Sequence, residues 1–321
     1  MCIRDRLGYG CWGVVDEYTD LAGQKWAIKR FAPNEIAKRQ MLERNLTEED
    51  VMRNEAIPLS AAQHNLVPRI IERDKNGELY VGMPVYDKTL KKVYLDNRGK
   101  RDFRKIAEIG KNVADALVYL HEELKRAHGD IKEDNIIMDN EKPLLTDLGS
   151  STCISVGRSE NPRDNIGERL YRAPECFEQG SCPDTRSDVF SFSSLLYTML
   201  TGKHLYKEHS NLHELEAKEA NKIIRKDIRK YVPRKFRKIL RKGLDFDRNK
   251  RYYNGAELKK DLELIRKFWE DKNFYYIAYV LKKYGLEFKG IIHTDYLIKE
   301  LLGIIERREG LQRSEDENKS G

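Results

Sequence analysis

The sequence is poor in the features that mark secreted, zinc-binding and membrane-spanning proteins. Its five cysteines form no C-x-x-C pair and no zinc-type spacing with the seven histidines, which predicts free thiols in a reducing compartment. No apolar run approaches the roughly 20 residues of a membrane span, and the longest, 190–200, is interrupted by serines. The first residues do not follow the pattern of a secretory signal peptide. These absences predict a cytoplasmic protein without membrane contact.

The chain also lacks a strong excess of either charge. It has 60 basic and 53 acidic residues, a net charge of +7, and 40% hydrophobic residues. A mixed surface of this kind usually serves solubility, so we expect no nucleic-acid partner. With 321 residues the chain is long enough for one large domain or two small ones with a full core.

Strand-like segments come first in the chain and helical segments follow. Runs of β-forming residues occupy 26–31, 66–71 and 79–85, with the turn Asn76-Gly77 between the last two. Residues 34–62 are helical in character, and the T-E-E-D run at 47–50 predicts a capping box. From residue 103 onward one apolar stripe recurs at helical spacing: Ile106, Ile109, Val113, Ala116, Leu117 and Leu120. This order predicts an α+β fold with a small β-rich lobe and a larger, mostly helical lobe, divided near 86–89.

A glycine-rich run, G-Y-G-C-W-G-V-V at residues 8–15, fits the pattern G-x-G-x-x-G-x-V. Glycines let a backbone pass close to phosphate groups, because no Cβ stands in the way. A chance turn and a dinucleotide-binding loop are the alternatives, since the chain has 21 glycines. A dinucleotide-binding loop leads straight into a helix, whereas here a strand-like segment follows and ends in A-I-K at 27–29. The pattern therefore favours a loop over nucleotide phosphates.

Four further motifs follow in the second half of the chain. They are H-G-D-I-K-E-D-N at 128–135, D-L-G at 147–149, G-E-R-L-Y-R-A-P-E at 167–175 and S-D-V-F-S at 187–191. In order and spacing, the whole set resembles the eukaryotic-type (Hanks-type) protein kinase superfamily over most of the chain. The resemblance implies the bilobal protein kinase fold and transfer of the ATP γ-phosphate to a protein substrate. Lysine two residues after aspartate, at 130–132, is typical of serine/threonine kinases.

The resemblance also implies which residues of the small lobe contact ATP. Lys29 would hold the α- and β-phosphates and pair with Glu55, with Asp50 and Glu49 as alternative partners. Met83 is the candidate gatekeeper, and the adenine would contact backbone groups just after it. The implied ATP-binding set is Leu7, Gly8, Gly10, Gly13, Val15, Ala27, Lys29, Met83, Pro84 and Tyr86.

In the large lobe the resemblance implies a catalytic and metal-binding set. Asp130 would accept or orient the proton of the substrate hydroxyl, and Lys132 would neutralise charge on the transferring phosphoryl group. Asn135 and Asp147 would bind Mg²⁺, or Mn²⁺ in its place, because a hard cation prefers oxygen ligands.

Structural roles are implied for four more residues: His128 within the catalytic loop, Asp188 as a brace for that loop, and Glu175 paired with Arg251. Arginine is suited to such a pair, because its planar fork matches a carboxylate.

Some features depart from the family pattern. Gly129 replaces the arginine of H-R-D, which removes the usual partner of an activation-loop phosphate.

Two alternatives to a protein kinase stay open. A small-molecule phosphotransferase of the aminoglycoside type also has H-G-D but lacks the A-P-E segment. A pseudokinase scaffold would bind ATP without transfer, but normally loses one of Lys29, Asp130 or Asp147.

The predicted domain boundaries are 7–86 for the small lobe and 87–270 for the large lobe. We expect a helical extension at 271–309, which either packs on the large lobe or receives a docking partner, and a disordered polar tail at 310–321. The run M-C-I-R-D at 1–5 is the translation of ATGTGTATAAGAGACAG, a transposon-end sequencing adapter. We therefore expect residues 1–6 to be a cloning or assembly artefact that truncates the small lobe, with a genuine start as the alternative.

Overall fold

The structure is a computed structural model that describes residues 2–9, 13–45, 47–54, 64–67, 70–73, 76–86, 88–95, 101–148, 152–153, 170–177 and 183–266. The chain divides into two compact units, Met1–Glu263 and Leu264–Gly321. The first unit contains the sheet and the helices that position the candidate site. Among the described residues no helix is both long and apolar enough to cross a membrane.

The small lobe is built on a five-stranded antiparallel sheet in the order β1-β2-β3-β5-β4. Its strands are β1 Cys2–Tyr9, β2 Gly13–Thr19, β3 Lys25–Phe31, β4 Ile70–Arg73 and β5 Leu79–Pro84. Gly77 lies between β4 and β5 with φ 84°, a conformation that glycine adopts without strain. Residues 2–6, whose origin as an artefact stays a prediction, belong to β1.

Two short helices, α1 Glu35–Arg44 and α2 Glu48–Asn54, follow β3. The residues predicted to be helical in character, 34–62, form two helices within the described part, because the backbone turns left-handed at Asn45 (φ 51°) and ends α1. The predicted capping box is present at the start of α2. The Thr47 hydroxyl accepts from the Asp50 amide (3.1 Å), and the Asp50 carboxylate accepts from the Thr47 amide (2.9 Å). Residues 55–63 lie outside the described part.

The predicted strand at 66–71 was placed too early, because the strand itself is β4. Leu66 instead forms an isolated parallel bridge with Leu145, and the Val67 amide donates to the Leu145 carbonyl (3.0 Å). Both Leu66 and Val67 are fully buried. Burial against the large lobe therefore decides their conformation, whereas the local β-propensity predicted a longer strand.

The large lobe is mainly helical, as the sequence predicted. All six residues of the predicted apolar stripe are buried, five of them on α3, Phe103–Val118, and Leu120 in the π-helical turn that follows it. The helix α4, Thr185–Thr201, is buried along almost its whole length and packs against α3 and against α7, Arg237–Gly243. The helices are α3 Phe103–Val118, α4 Thr185–Thr201, α5 Leu205–Glu208, α6 Ala217–Tyr231, α7 Arg237–Gly243 and α8 at 255–266. The α+β fold of two lobes is confirmed, while the boundaries at 86, 270 and 309 stay predictions.

Two short strand pairs in the large lobe were missed by the sequence analysis. They are β6 Arg126–Ala127 with β9 Thr152–Cys153, and β7 Ile136–Asp139 with β8 Lys142–Leu145. Strands of two to four residues are too short for an alternating pattern to stand out. They matter because β6 and β7 flank the 128–135 loop, and β8 leads into Thr146 and Asp147.

Candidate active site

The loop between β6 and β7 brings two predicted site residues, Lys132 and Asn135, to the carboxylate of a third, Asp130. The Lys132 ammonium lies 2.8 Å from Asp130 Oδ2. The amide nitrogen of Asn135 donates to the same oxygen (3.1 Å) and to the Asp130 carbonyl (2.7 Å). Charge-assisted bonds of this kind orient the Asp130 carboxylate, so its position is fixed before any substrate arrives.

His128 connects this loop to the segment that carries Asp147. Its Nε2 lies 3.0 Å from the Thr146 carbonyl, and its Nδ1 accepts from the Asp130 amide (3.3 Å). Because a carbonyl only accepts, the proton lies on Nε2 and the ring is neutral. The fully buried His128 therefore joins the catalytic loop to the residue before Asp147.

Asp188, on α4, holds the backbone of the 128–135 loop through hydrogen bonds to two of its amides. Its carboxylate accepts from the His128 amide (2.7 Å) and from the Gly129 amide (2.9 Å). Gly129 has φ 78°, in the left-handed region that favours glycine. The departure from H-R-D thus places a glycine where the backbone turns to meet Asp188.

His121 is a positioning residue that the sequence analysis missed. Its Nε2 lies 3.0 Å from Asp188 Oδ2, and its Nδ1 accepts from the Gly255 amide (3.1 Å). Because the Gly255 amide donates to Nδ1, this nitrogen is unprotonated, so Nε2 carries the proton and donates to Asp188. The one signal in the sequence is its position four residues after Leu117, where the apolar stripe continues into a polar side chain.

Asp147 and Asn135 lie on neighbouring backbone segments. The Thr146 amide donates to the Asn135 carbonyl (2.9 Å), and Asp147 adopts a left-handed φ of 64°. Asn135 uses its amide nitrogen on Asp130, which leaves its side-chain oxygen for a ligand. A carboxylate with an amide oxygen fits a hard divalent ion. Within the described part no group of three or more His, Cys, Asp and Glu could hold a metal ion.

Predicted ATP contacts of the small lobe lie on adjacent strands. Lys29, in the middle of β3, is 8% exposed and pairs with Val15 on β2 and with Val81 on β5. Ala27, two residues earlier on the same strand, is buried and pairs with Met83. Because side chains two apart on a strand point to one face, Ala27 and Lys29 share a face of the sheet.

The remaining predicted contacts divide between described and undescribed residues. Leu7 and Gly8 lie in β1, Pro84 ends β5, and Tyr86 follows it. Gly10 and Glu55 lie outside the described residues, so the Lys29–Glu55 pair stays a prediction. At Gly13 an added Cβ would come within 2.1 Å of the Arg30 carbonyl, so glycine is required there by the close approach of β3.

Glu175 and Arg251 form the bidentate pair that the sequence predicted. The two guanidinium nitrogens lie 2.7 and 2.8 Å from the two carboxylate oxygens, and the side chains are 0% (Arg251) and 12% (Glu175) exposed. Ser187 Oγ donates to the same carboxylate (2.8 Å). Burial acts to raise the pKa of Glu175, but the hydrogen bonds and charge of Arg251 outweigh it and hold the pKa below its ordinary value. The pair ties the segment 170–177 to the loop after α7.

A protein kinase domain model matches residues 2–261 of the chain. The chain belongs to the protein kinase family. Members of this family use ATP and a divalent metal ion, which agrees with the oxygen donors of Asn135 and Asp147.

Several kinases from distant organisms are similar to the chain. A MAP kinase kinase of Caenorhabditis elegans is 30% identical over 65% of this chain and 57% of its own length. A G-type lectin S-receptor-like serine/threonine-protein kinase of Arabidopsis thaliana is 32% identical over 66% of this chain and 24% of its own. A probable serine/threonine-protein kinase of Clostridium acetobutylicum is 26% identical over 82% and 39%. The chain therefore spans between about a quarter and just over half of the length of these relatives.

In this kinase domain a buried acid, Glu133, lies beside Lys132 in the loop at 128–135, and the sequence analysis gave it no role. Glu133 follows Lys132 and is 7% exposed. Burial, followed by the charge of Glu133, raises the pKa of Tyr171. Tyr171 belongs to the segment that Glu175 anchors, so the catalytic loop and that segment meet through polar side chains.

Proposed function

We propose that the protein is an ATP-dependent protein kinase that transfers the γ-phosphate to serine and threonine hydroxyls of protein substrates, with Mg²⁺ as its metal ion. The observation that carries the proposal is the Asp130 carboxylate, held by Lys132 and Asn135 on a loop whose backbone is bonded to Asp188. Lys132 and the names of the serine/threonine-kinase relatives support the choice of acceptor.

The residues divide the phosphoryl transfer between them. A new bond forms between the substrate oxygen and the γ-phosphorus, the bond to the β–γ bridging oxygen breaks, and the hydroxyl proton passes to Asp130. Lys132, 2.8 Å from Asp130, offsets negative charge on the transferring group. Lys29 holds the α- and β-phosphates from β3.

Asn135 and Asp147 would hold the metal ion through their side-chain oxygens. A bound Mg²⁺, or Mn²⁺ in its place, neutralises charge on the phosphates. The hydrogen bond between the Thr146 amide and the Asn135 carbonyl keeps the two ligands at a fixed separation.

We also propose a cytoplasmic location, on the basis of the free-thiol composition.

The test is phosphate transfer from radiolabelled ATP to degenerate peptides with a single acceptor, which is serine, threonine or tyrosine. We expect label in the serine and threonine sets, and none with Asp130→Asn. Label in the tyrosine set alone would overturn the acceptor assignment. Label on an aminoglycoside in a parallel reaction would instead support a small-molecule phosphotransferase. ATP binding without any transfer would support a pseudokinase.

A further inference from the structure

Two neighbouring helices of the large lobe carry more positive charge than the whole chain. Residues 217–243, which comprise α6 and α7, include twelve lysines and arginines and two acidic residues, a net charge of +10 against +7 for the chain. Of the two acids, Asp227 is already hydrogen-bonded to His209, with 2.8 Å between Asp227 Oδ2 and His209 Nε2. The rest of the chain is therefore slightly acidic, and the positive charge is concentrated here.

Most of these cations face solvent, and half of them have no partner among the described residues. Ten of the twelve are exposed. Among the described residues, six of them engage no hydrogen-bond or ion-pair partner: Lys218, Lys222, Lys226, Arg229, Arg234 and Arg241. Six like charges held close together repel one another, so a partner of opposite charge would relieve this repulsion.

The cations of α6 occupy the face opposite its buried stripe. That stripe is Ala220, Ile224 and Ile228. The exposed cations recur at intervals of three and four residues, which places them along one face: Lys218, Lys222, Arg225 and Arg229. At a rise of 1.5 Å per residue, a four-residue step is about 6 Å and the row is about 17 Å long.

The helix α7 adds to the same surface, because hydrogen bonds fix it against α6. The Asn221 amide donates to Asp245 just after α7 (2.8 Å), and Arg237 Nε donates to the Val232 carbonyl at the end of α6 (2.8 Å). We call this surface the basic face. It consists of the exposed cations of residues 217–243: Lys218, Lys222, Arg225, Lys226, Arg229, Lys230, Arg234, Lys235, Lys238 and Arg241.

The basic face has charge but no exposed large apolar or aromatic side chain. The exposed large hydrophobics of the described chain, Leu7, Leu21, Leu42, Tyr253 and Leu264, all lie outside residues 217–243. Single-stranded nucleic acids are bound largely by stacking on aromatic rings, and interfacial helices bury an apolar face in the membrane. The composition therefore favours a partner recognised by negative charge alone.

We propose that the basic face is a docking site for an extended acidic segment of the protein substrate. The proposal rests on the proposed function, since it assumes that the acceptor is a protein. In an extended chain, alternate side chains lie about 6.8 Å apart on one side, which is close to the step of about 6 Å between cations four residues apart on α6. A docked segment raises the effective concentration of the acceptor at Asp130, so it lowers KM and leaves kcat unchanged.

The experiment compares two substrate peptides that differ only in charge. Both carry one serine acceptor joined by glycine-serine linkers of several lengths to a tail of about five glutamates or about five glutamines, enough to cover the row when extended. At the best linker length we expect KM to be lower for the glutamate tail by about tenfold or more, a free energy that several exposed ion pairs can supply. The difference should shrink as salt concentration rises.

Matched variants locate the effect on the basic face. Lys222→Glu, Lys226→Glu and Arg229→Glu together should remove the KM difference and keep kcat for the glutamine peptide. Arg39→Glu, Lys92→Glu and Lys260→Glu together make the same charge change at exposed cations elsewhere and should preserve the difference. If the first triple variant does not fold, the corresponding glutamine variants replace it.

A binding measurement separates this proposal from the proposed function. Fluorescence anisotropy of a labelled glutamate tail, without ATP, reports docking even if no phosphate is transferred. Equal KM values for the two tails at every linker length would overturn the proposal. So would tighter binding to duplex DNA or to phosphatidylserine vesicles than to the glutamate tail. Absence of transfer to both peptides, with docking intact, would instead overturn the proposed function.

Discussion

Two carboxylates of the large lobe are held in different ways, although both contact the loop at residues 128–135. Asp188 is 1% exposed and accepts from three donors, two loop amides and His121, that lie 59 to 67 residues away in sequence. Asp130 is more open, with a side chain 13% exposed, and its carboxylate accepts from Lys132 and Asn135 of its own loop, two and five residues away. Asp188 is held by long-range contacts, and we call the residues held in this way the frame, whereas Asp130, the candidate reactive acid, accepts from donors close by in the sequence.

The Glu175–Arg251 pair belongs to the frame by the same criteria. It joins residues 76 apart in sequence, and the guanidinium also donates to the Asp245 carbonyl (2.6 Å). Long-range buried pairs contribute to the fold because losing one partner leaves a buried charge. Substitutions in the frame should therefore change stability, and substitutions at the reactive end should change turnover.

The largest effect expected is on turnover. Asp130→Asn removes the proton acceptor and should lower kcat by about 10²- to 10⁴-fold, the usual contribution of a general base. The melting temperature should change little, because Asn retains the shape of the side chain. Asp134→Asn is the control, since Asp134 is half exposed and pairs with Lys91 at 3.0 Å. Wild-type turnover in Asp130→Asn would remove this residue from the base role.

The next effect is on the frame. Arg251→Ala leaves Glu175 buried without its cation and should lower the free energy of unfolding by about 3–5 kcal/mol. Arg248→Ala is the matched control: Arg248 bonds Asp184 at 2.7 Å but is 40% exposed, so we expect less than about 1 kcal/mol. Urea unfolding measures both. Equal losses in the two variants would contradict the role of burial.

A smaller effect is expected at His121, which acts through Asp188. His121→Phe keeps the ring volume but removes the donor to Asp188 and the acceptor for the Gly255 amide. We expect a loss of about 1–3 kcal/mol in stability. We also expect a severalfold fall in kcat with KM for ATP unchanged, because Asp188 positions the loop. His209→Phe is the control, and a fall in kcat as large in this variant would show a nonspecific effect.

The two regions also differ in how far the sequence revealed them. The loop motif at 128–135 is contiguous, so its residues and their clustering followed from the pattern. Arg251 and Asp188 were found only because the family resemblance assigned them. His121 and Glu133 were missed, because their roles depend on burial and on partners far away in the chain. Local patterns gave the capping box at Thr47 and the stripe on α3. They misplaced β4, where tertiary packing of Leu66 outweighed propensity.

The smallest effect expected is a pH dependence that belongs to the frame alone. The pKa of Glu175 in the folded protein lies below its ordinary value of 4.5, because Arg251 stabilises the charged form. A lowered carboxyl pKa contributes stability that is present above the unfolded pKa and is lost as pH falls through the folded one.

In Arg251→Met the cation is gone, so burial alone should raise the pKa of Glu175. Its protonated form is then favoured by folding, and the variant should gain stability from this group as pH falls. The other carboxyl groups are common to both proteins, so their contributions largely cancel in the difference. The free energies of unfolding should therefore differ most near neutral pH and converge as the pH is lowered below 4.5. Urea unfolding of both proteins over this series measures the convergence. A difference that stays constant would mean that Glu175 titrates alike with and without its arginine, and that the pair does not hold the segment 170–177 through charge.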